Sequence, residues 1–246
     1  MNELTSLLKR AFEALGFCQG DYEDAARAIV WLESRGMHGL ELAMRDWQRL
    51  SKAGDALEVT ASENDVLVLD AHDGSVLTCG RSVVDLATAT LEQKGRCGME
   101  IRQCYSRMAI VPSLESFARL GASAIAYWQD HNHLHIVKID AQLTHPEYRR
   151  MPGAPDNTAS ATMLKLVCHK EPQEIDAISI ELAQGDTQAT PDGQVSSAEM
   201  GAHYQAAIQN GLAINREFAD RLSVIAEAVL VSATEQSRRG AGEAFS

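Results

Sequence analysis

Val66-Leu67-Val68-Leu69-Asp70-Ala71-His72-Asp73-Gly74-Ser75-Val76-Leu77-Thr78 is where the chain changes its period. Upstream, apolar residues recur at helical spacing. Here they come as two short β-type runs, 66–69 and 75–78, around an Asp-Gly pair that signals a tight hairpin turn. The change from helices to hairpin-connected strands, followed by helix again at the C-terminal end, is an α+β pattern rather than alternating β-α-β.

Working outward, the first 55 residues read as three helices. Leu4, Leu7, Leu8, Ala11, Phe12 and Leu15 form one stripe, stopped by Gly16. Asp21, with Asp24 three residues on, caps a second helix whose apolar face is Ala25, Ala28, Ile29 and Leu32 and which Gly36 ends. A third runs from about Leu40 to Lys52, with Leu42, Trp47 and Leu50 facing the core.

Beyond Thr78, residues 82–93 read as helix, 99–104 as extended, and Pro112-Ser113 as the start of a short helix closed by Gly121. Residues 122–128 and 133–139 form a second hairpin, 144–158 a proline-containing loop, 162–169 and 177–182 two more strands, and 184–194 another loop. Met200, Tyr204, Ile208, Leu212, Phe218, Leu222, Ile225 and Val229 hold one stripe across Gly211. A single helix over residues 197–234 would be on the order of 57 Å long, more than a domain of this size spans, so a kink at Asn210-Gly211 is expected. The expected architecture is a single α+β domain over residues 1–246. It has a helical subregion at 1–55, a mixed or antiparallel sheet of about seven short strands within 60–185, and a long C-terminal helix at 196–239.

Composition bounds the function. Hydrophobic residues at 45% and charged residues at 23% exclude wholesale disorder. The net charge of −12 opposes binding to a phosphate backbone, and the longest basic stretches, Arg149-Arg150 and Arg238-Arg239, are too short to offset it. The most apolar run, 224–231, contains Glu227 and falls far short of the ~20 residues that span a bilayer. No signal peptide is evident, and five scattered cysteines without a Cys-x-x-Cys pair fit neither a disulfide framework nor a zinc knuckle. The expectation is a cytoplasmic protein that binds neither nucleic acid nor membrane. No Gly-x-Gly-x-x-Gly or Gly-x-x-x-x-Gly-Lys loop follows any strand, and no cofactor is implied by the residues.

Two segments carry a resemblance. One runs from Glu23 to Leu40 and contains Trp31-Leu32-Glu33-Ser34-Arg35-Gly36; the other is Thr234-Glu235-Gln236-Ser237-Arg238-Arg239-Gly240-Ala241-Gly242. Together they resemble a bacterial domain-of-unknown-function family, number 3726, which pairs Trp-Leu-x-x-Arg-Gly with a C-terminal Thr-Glu-x-Ser-Arg-x-x-Gly-Ala-Gly. The resemblance implies fold boundaries and brings no activity. The segment Arg35-Gly36-Met37-His38-Gly39 is also similar to the start of the malate/lactate dehydrogenases that lack a Rossmann fold, where Arg-Gly-x-x-Ser-His-Gly delivers an active-site histidine. Here it is two residues shorter and lacks the serine, and the whole chain is considerably shorter.

Candidate chemistry is sparse. Cys79 stands at an expected strand end, with Gly80, Arg81 and Ser82 leading into a helix. That arrangement favours a thiolate and could hold a small carboxylate or phosphate through backbone N–H groups and the Arg81 fork. His38 and Arg238 are the residues that could complete such a site. His131, His133 and His135 alternate, but the turn expected at 130–132 leaves two of them on the strand, which reads as a polar sheet face and not a metal site. Three functional classes stand. The first is a binding or accessory module associated with small-molecule metabolism. The second is an enzyme acting on a small anionic metabolite, including a diverged relative of those dehydrogenases. The third is an oligomeric structural protein. The apolar C-terminal stripe suggests a homo-oligomer formed through that helix.

Overall fold

Three helices open the chain: α1 (Asn2–Ala14), α2 (Gln19–Ser34) and α3 (Gly39–Leu50). The computed structural model describes residues 1–50, 57–63, 66–130, 132–153, 162–184 and 190–227. The stripes that marked these helices are their buried faces: Leu4, Leu8, Ala11 and Phe12 on α1, and Ala25, Ala26, Ile29 and Leu32 on α2. The second helix starts earlier than expected, with Cys18 as its N-cap. Asp21 instead occupies its first turn, where its charge complements the helix dipole.

The strands are β1 (Glu58–Glu63), β2 (Val66–Ser75), β3 (Arg96–Tyr105), β4 (Ser123–Asp130), β5 (His133–Ile139), β6 (Glu147–Pro152), β7 (Leu164–His169) and β8 (Gly193–Val195). They form one mixed sheet in the order β1-β2-β3-β7-β4-β5-β6-β8. Only β2 and β3 run parallel, joined through α4 (Val76–Lys94). The α+β reading holds.

The Asp-Gly hairpin does not form where expected. The hairpin partner of 66–69 is β1, and residues 76–78 begin α4. Asp70 Oδ1 accepts the His72 N–H at 2.8 Å, His72 and Asp73 take left-handed φ of 48° and 60°, and the β2–β3 register shifts between Asp70 and Gly74. The turn chemistry makes an irregularity within the strand. Ser75 then caps the helix by accepting from Leu77 N–H at 3.1 Å. Val76, Cys79, Val83, Val84, Ala87 and Leu91 are its buried stripe, a helical period that the short run 75–78 concealed.

Two other segments differ from expectation. Residues 177–182 lie in α6 (Pro172–Gln184), because Ile175, Ile178 and Leu182 pack together at helical spacing against Ile125, Ile136 and Met151 on one face of the sheet. The expected loop 144–158 contains β6, an edge-region strand whose polar residues gave no periodic signal. The remaining helices join the other face in a core that runs from Leu4 to Ala226. The C-terminal stripe breaks at Gly211, φ 81°, into α7 (Ser197–Asn210) and α8 (Arg216–Glu227). Met200 and Leu222 are fully buried within this chain, and α8 packs on α1. No described helix is long and apolar enough to cross a membrane.

Candidate functional site

A cleft lies where α3 meets the end of β3 and the strands β4 and β5. It holds about 600 Å³, a volume suited to a small metabolite. α3 buries Leu40, Leu42, Ala43 and Leu50 and turns Arg45, Asp46 and Arg49 to the cleft. β3 supplies Tyr105, and a left-handed residue, Ser106 (φ 54°), turns the chain into a 3-10 helix (Arg107–Ser113) that brings in Arg107. Trp128, Asp130 and His135 form the far wall.

Asp46, 6% exposed, is satisfied from two sides. Ser106 Oγ donates to its Oδ2 at 2.7 Å, and Arg45 donates to both carboxylate oxygens at 3.0 and 3.2 Å. That hydrogen bond holds the Arg45 guanidinium above its ordinary pKa. The contact ties helix α3 to the β3 turn, so the cleft is braced at its base. The Arg49 guanidinium lies 4.5 Å from the centre of the Tyr105 ring. The Tyr105 hydroxyl is buried and has no hydrogen-bond partner among the described residues; burial pushes its pKa up to about 12. Three guanidiniums and two carboxylates line the cleft of a chain whose net charge is −12, so it is locally cationic.

His135 is held on three sides. It stacks on Trp128 with centroids 5.1 Å apart and planes 4° from parallel, and its Nδ1 is 2.8 Å from the Tyr148 hydroxyl. Asp130 Oδ2 sits 2.9 Å from its Nε2, an ion-pair contact off the line of the N–H bond, which leaves Nε2 without a directed hydrogen bond. Burial alone would raise the Asp130 carboxyl, but His135, with Arg107 and His133 nearby, outweighs it and holds that pKa below the ordinary value. Burial pushes Tyr148 up to about 12, so its hydroxyl keeps its proton. An ionised Asp130 and a protonated Tyr148 therefore bracket one imidazole.

The residues singled out from sequence are placed elsewhere. Because α4 begins at Val76, Cys79 and Gly80 lie inside the helix, past its free N–H groups. Cys79 is buried, and burial pushes its thiol up to about 12, so the expected thiolate is not favoured. Arg81 and Ser82 are exposed; Arg81 Nε donates to Asp85 at 3.0 Å and lines a smaller cavity that Cys79 does not reach. His38 is exposed, at φ 52°, and its Nδ1 is 3.8 Å from Glu41. Arg238 and His131 lie outside the described residues. His133 pairs with Asp192 at 3.0 Å, and among the described residues no group of three His, Cys, Asp or Glu side chains could hold a metal ion. The residues that sequence reasoning passed over are Arg45, Asp46, Arg49, Tyr105 and Ser106. A charged trio at spacing i, i+1, i+4 on a helix reads as a solvated face, and nothing local links it to a turn sixty residues away.

Residues 1–64 match the family model described as "Protein of unknown function (DUF3726)", which takes in the Glu23–Leu40 segment; the tail half of that resemblance lies outside the match. No curated protein matches the chain. A solved dehydrogenase from Sinorhizobium meliloti is 13% identical, with 92% of this chain and 98% of that one covered and a TM-score of 0.69. Malate dehydrogenase from Pyrococcus horikoshii OT3 is also 13% identical, covering 94% and 95%, again at 0.69. The chain shares their fold. The sulfolactate dehydrogenase of Methanocaldococcus jannaschii adds a third likeness, at 11% identity, 91% and 95% coverage, and a TM-score of 0.60. The similarity first carried by Arg35–Gly39 thus extends over most of the chain.

Proposed function

We propose that this chain is an enzyme acting on a small anionic metabolite held in the α3–β3–β5 cleft. One observation carries the reading: Arg45, Arg49 and Arg107 line a cleft together with a buried tyrosine hydroxyl that has no hydrogen-bond partner among the described residues. An orphaned buried hydroxyl costs stability unless something bonds it, which a ligand oxygen would do. Guanidinium forks match a carboxylate geometrically. Two proteins of similar fold are named for malate and sulfolactate, both small acids, which supports the same substrate class.

In this reading Arg49 and Arg107 fix the carboxylate and Tyr105 donates to a second oxygen of the substrate. His135 holds or moves the proton at the hydroxyl or oxo group, because Asp130 lies beside its Nε2 and Tyr148 fixes its ring. The proteins of similar fold named above are dehydrogenases, whose reaction needs a hydride carrier. Among the described residues the lining of this cleft holds no glycine at which the diphosphate of a nicotinamide dinucleotide could approach the backbone, and no step is routed through that group. The accessory-module reading calls for a broad apolar patch. The exposed large apolar residues, Val59, Leu120, Ile180, Ile208 and Val224 among them, sit on separate elements.

A thermal-shift series with malate, lactate, sulfolactate and their oxo acids, each with and without a reduced nicotinamide, tests the proposal. At a hundred times its dissociation constant a ligand stabilises by about 2.7 kcal/mol. The expected result is stabilisation by at least one acid in the wild type and its loss in Arg49→Ala. Indifference to every acid at millimolar concentration refutes it.

A further inference from the structure

A second cavity, of about 300 Å³, opens between α2, the first turn of α4 and the short helix α5 (Leu114–Arg119). Its lining carries three guanidiniums, Arg27, Arg81 and Arg119, against one carboxylate, Asp24. In a chain with 34 acidic and 22 basic residues, such a grouping is opposite in sign to the whole. All three arginine side chains are more than half exposed; Arg27 pairs with Asp24 and Arg81 with Asp85 near the surface, while Arg119 reaches the more buried Glu115 only at 3.8 Å. Pairs of that kind contribute little, so the arms can turn inward without loss of packing.

The wall behind them is fixed. Trp31 lines the cavity, donates its indole N–H to Glu115 Oε1 at 3.2 Å, and is backed by the Arg35 guanidinium 4.1 Å from its ring centre. Arg35 is itself buried and lies equally close to the Tyr204 ring on its other side. Val76 and Leu77, the first residues of α4, also face the cavity, and that helix has no acid in its first turn. The positive end of a nineteen-residue helix is thereby added to the field of the arginines.

We infer that this cavity is a second anion site, independent of the cleft, which takes a phosphate group, free or as a monoester. A carboxylate offers two oxygens and satisfies one fork. A phosphate presents three terminal oxygens and up to two charges, matched to three separate guanidiniums. Trp31 gives the apolar part of an ester a rigid surface to lie on.

Calorimetric titration of the full chain with inorganic phosphate and with phenyl phosphate tests the inference. Both are expected to bind saturably, with phenyl phosphate also changing tryptophan fluorescence; tighter binding of phenyl phosphate assigns an ester, and equal affinities assign the free ion. The double variant Arg81→Gln/Arg119→Gln, shown to be folded by circular dichroism, should weaken both at least tenfold. Arg216→Gln, an exposed side chain at the start of α8, should change nothing, and Arg49→Gln, in the cleft, should leave phosphate binding intact. The inference is overturned by absence of binding, by undiminished binding in the double variant, or by a response that chloride reproduces at equal ionic strength. Loss of phosphate binding in Arg49→Gln alone also overturns it, and would place the anion in the cleft.

Discussion

Gly39→Ala is the substitution on which the structure makes its sharpest demand. Gly39 begins α3 against the side of α2, and a Cβ built there would stand 2.3 Å from the Ile29 carbonyl oxygen, 2.9 Å from Leu32 Cβ and 3.1 Å from Glu33 N. All three atoms belong to α2, and two are backbone, so no side chain can swing away. Relieving the first contact to the 3.0 Å that real Cβ atoms respect moves the helices apart by at least 0.7 Å, the difference of those distances. Overpacking of this kind costs about 3 kcal/mol at the upper end of its usual range. Alanine returns at most ~1 kcal/mol through helix propensity. The net loss is about 2 kcal/mol, and at about 2–4 °C per kcal/mol for a chain of this length Tm falls by about 4–8 °C. The same shift would stretch the Ser106–Asp46 hydrogen bond, now 2.7 Å, because α3 carries Asp46. Any stabilisation of the protein by small acids should therefore shrink as well. Gly20→Ala is the internal control: it too lies in a helix, but nothing stands within 4 Å of its Cβ, so stability should hold or rise by up to ~1 kcal/mol. Differential scanning calorimetry of the two variants decides the matter. A Gly39→Ala protein that melts at or above the wild type refutes the close approach of α2 and α3.

Tyr105→Phe removes a buried hydroxyl with no hydrogen-bond partner among the described residues; the ligand-free protein should melt at the wild-type temperature or higher, while stabilisation by small acids falls, and a clear drop in unliganded Tm would mean that the hydroxyl is bonded after all. Asp130 has a folded pKa below its unfolded value, so it stabilises the fold above ~3.9 and that contribution is lost as the pH falls below it. Acid unfolding of Asp130→Asn, followed by circular dichroism, should accordingly be shallower than that of the wild type below about pH 5, and parallel curves would count against the pairing with His135. Iodoacetamide at mildly alkaline pH should label one thiol of the native protein rapidly, because Cys18 is exposed while Cys79, Cys97, Cys104 and Cys168 are buried. Cys18→Ser should abolish the fast phase; rapid labelling of Cys79 would show that its burial is wrong.

The N-terminal helices and the β4–β5 hairpin were legible in the sequence because their signals are local. Residues such as Leu4, Leu8 and Phe12 repeat at the period of the structure they form, and two clean strands pair from Ala124 with Ile139 to Asp130 with His133. The glycines after α1 and α2 likewise take the left-handed φ that ends a helix, 90° at Gly16 and 72° at Gly36. Other segments needed tertiary contacts to choose between two locally acceptable forms. Residues 177–182 alternate well enough for a strand, and only burial of Ile175, Ile178 and Leu182 together against the sheet makes them helical. Asp73-Gly74 could close a hairpin, but β2 already has β1 on one edge and β3 on the other, so the chain leaves through Ser75 into α4. That choice moved Cys79 and Gly80 from a helix entrance into its interior, where both are buried. The cleft was decided by the tertiary structure alone. Asp46, Ser106 and His135 lie on three elements far apart in sequence, and each is ordinary in its own neighbourhood. Periodicity reports which face of a segment is buried, whereas a site depends on which faces meet, and that is fixed only when helix α3 is laid across the ends of the strands.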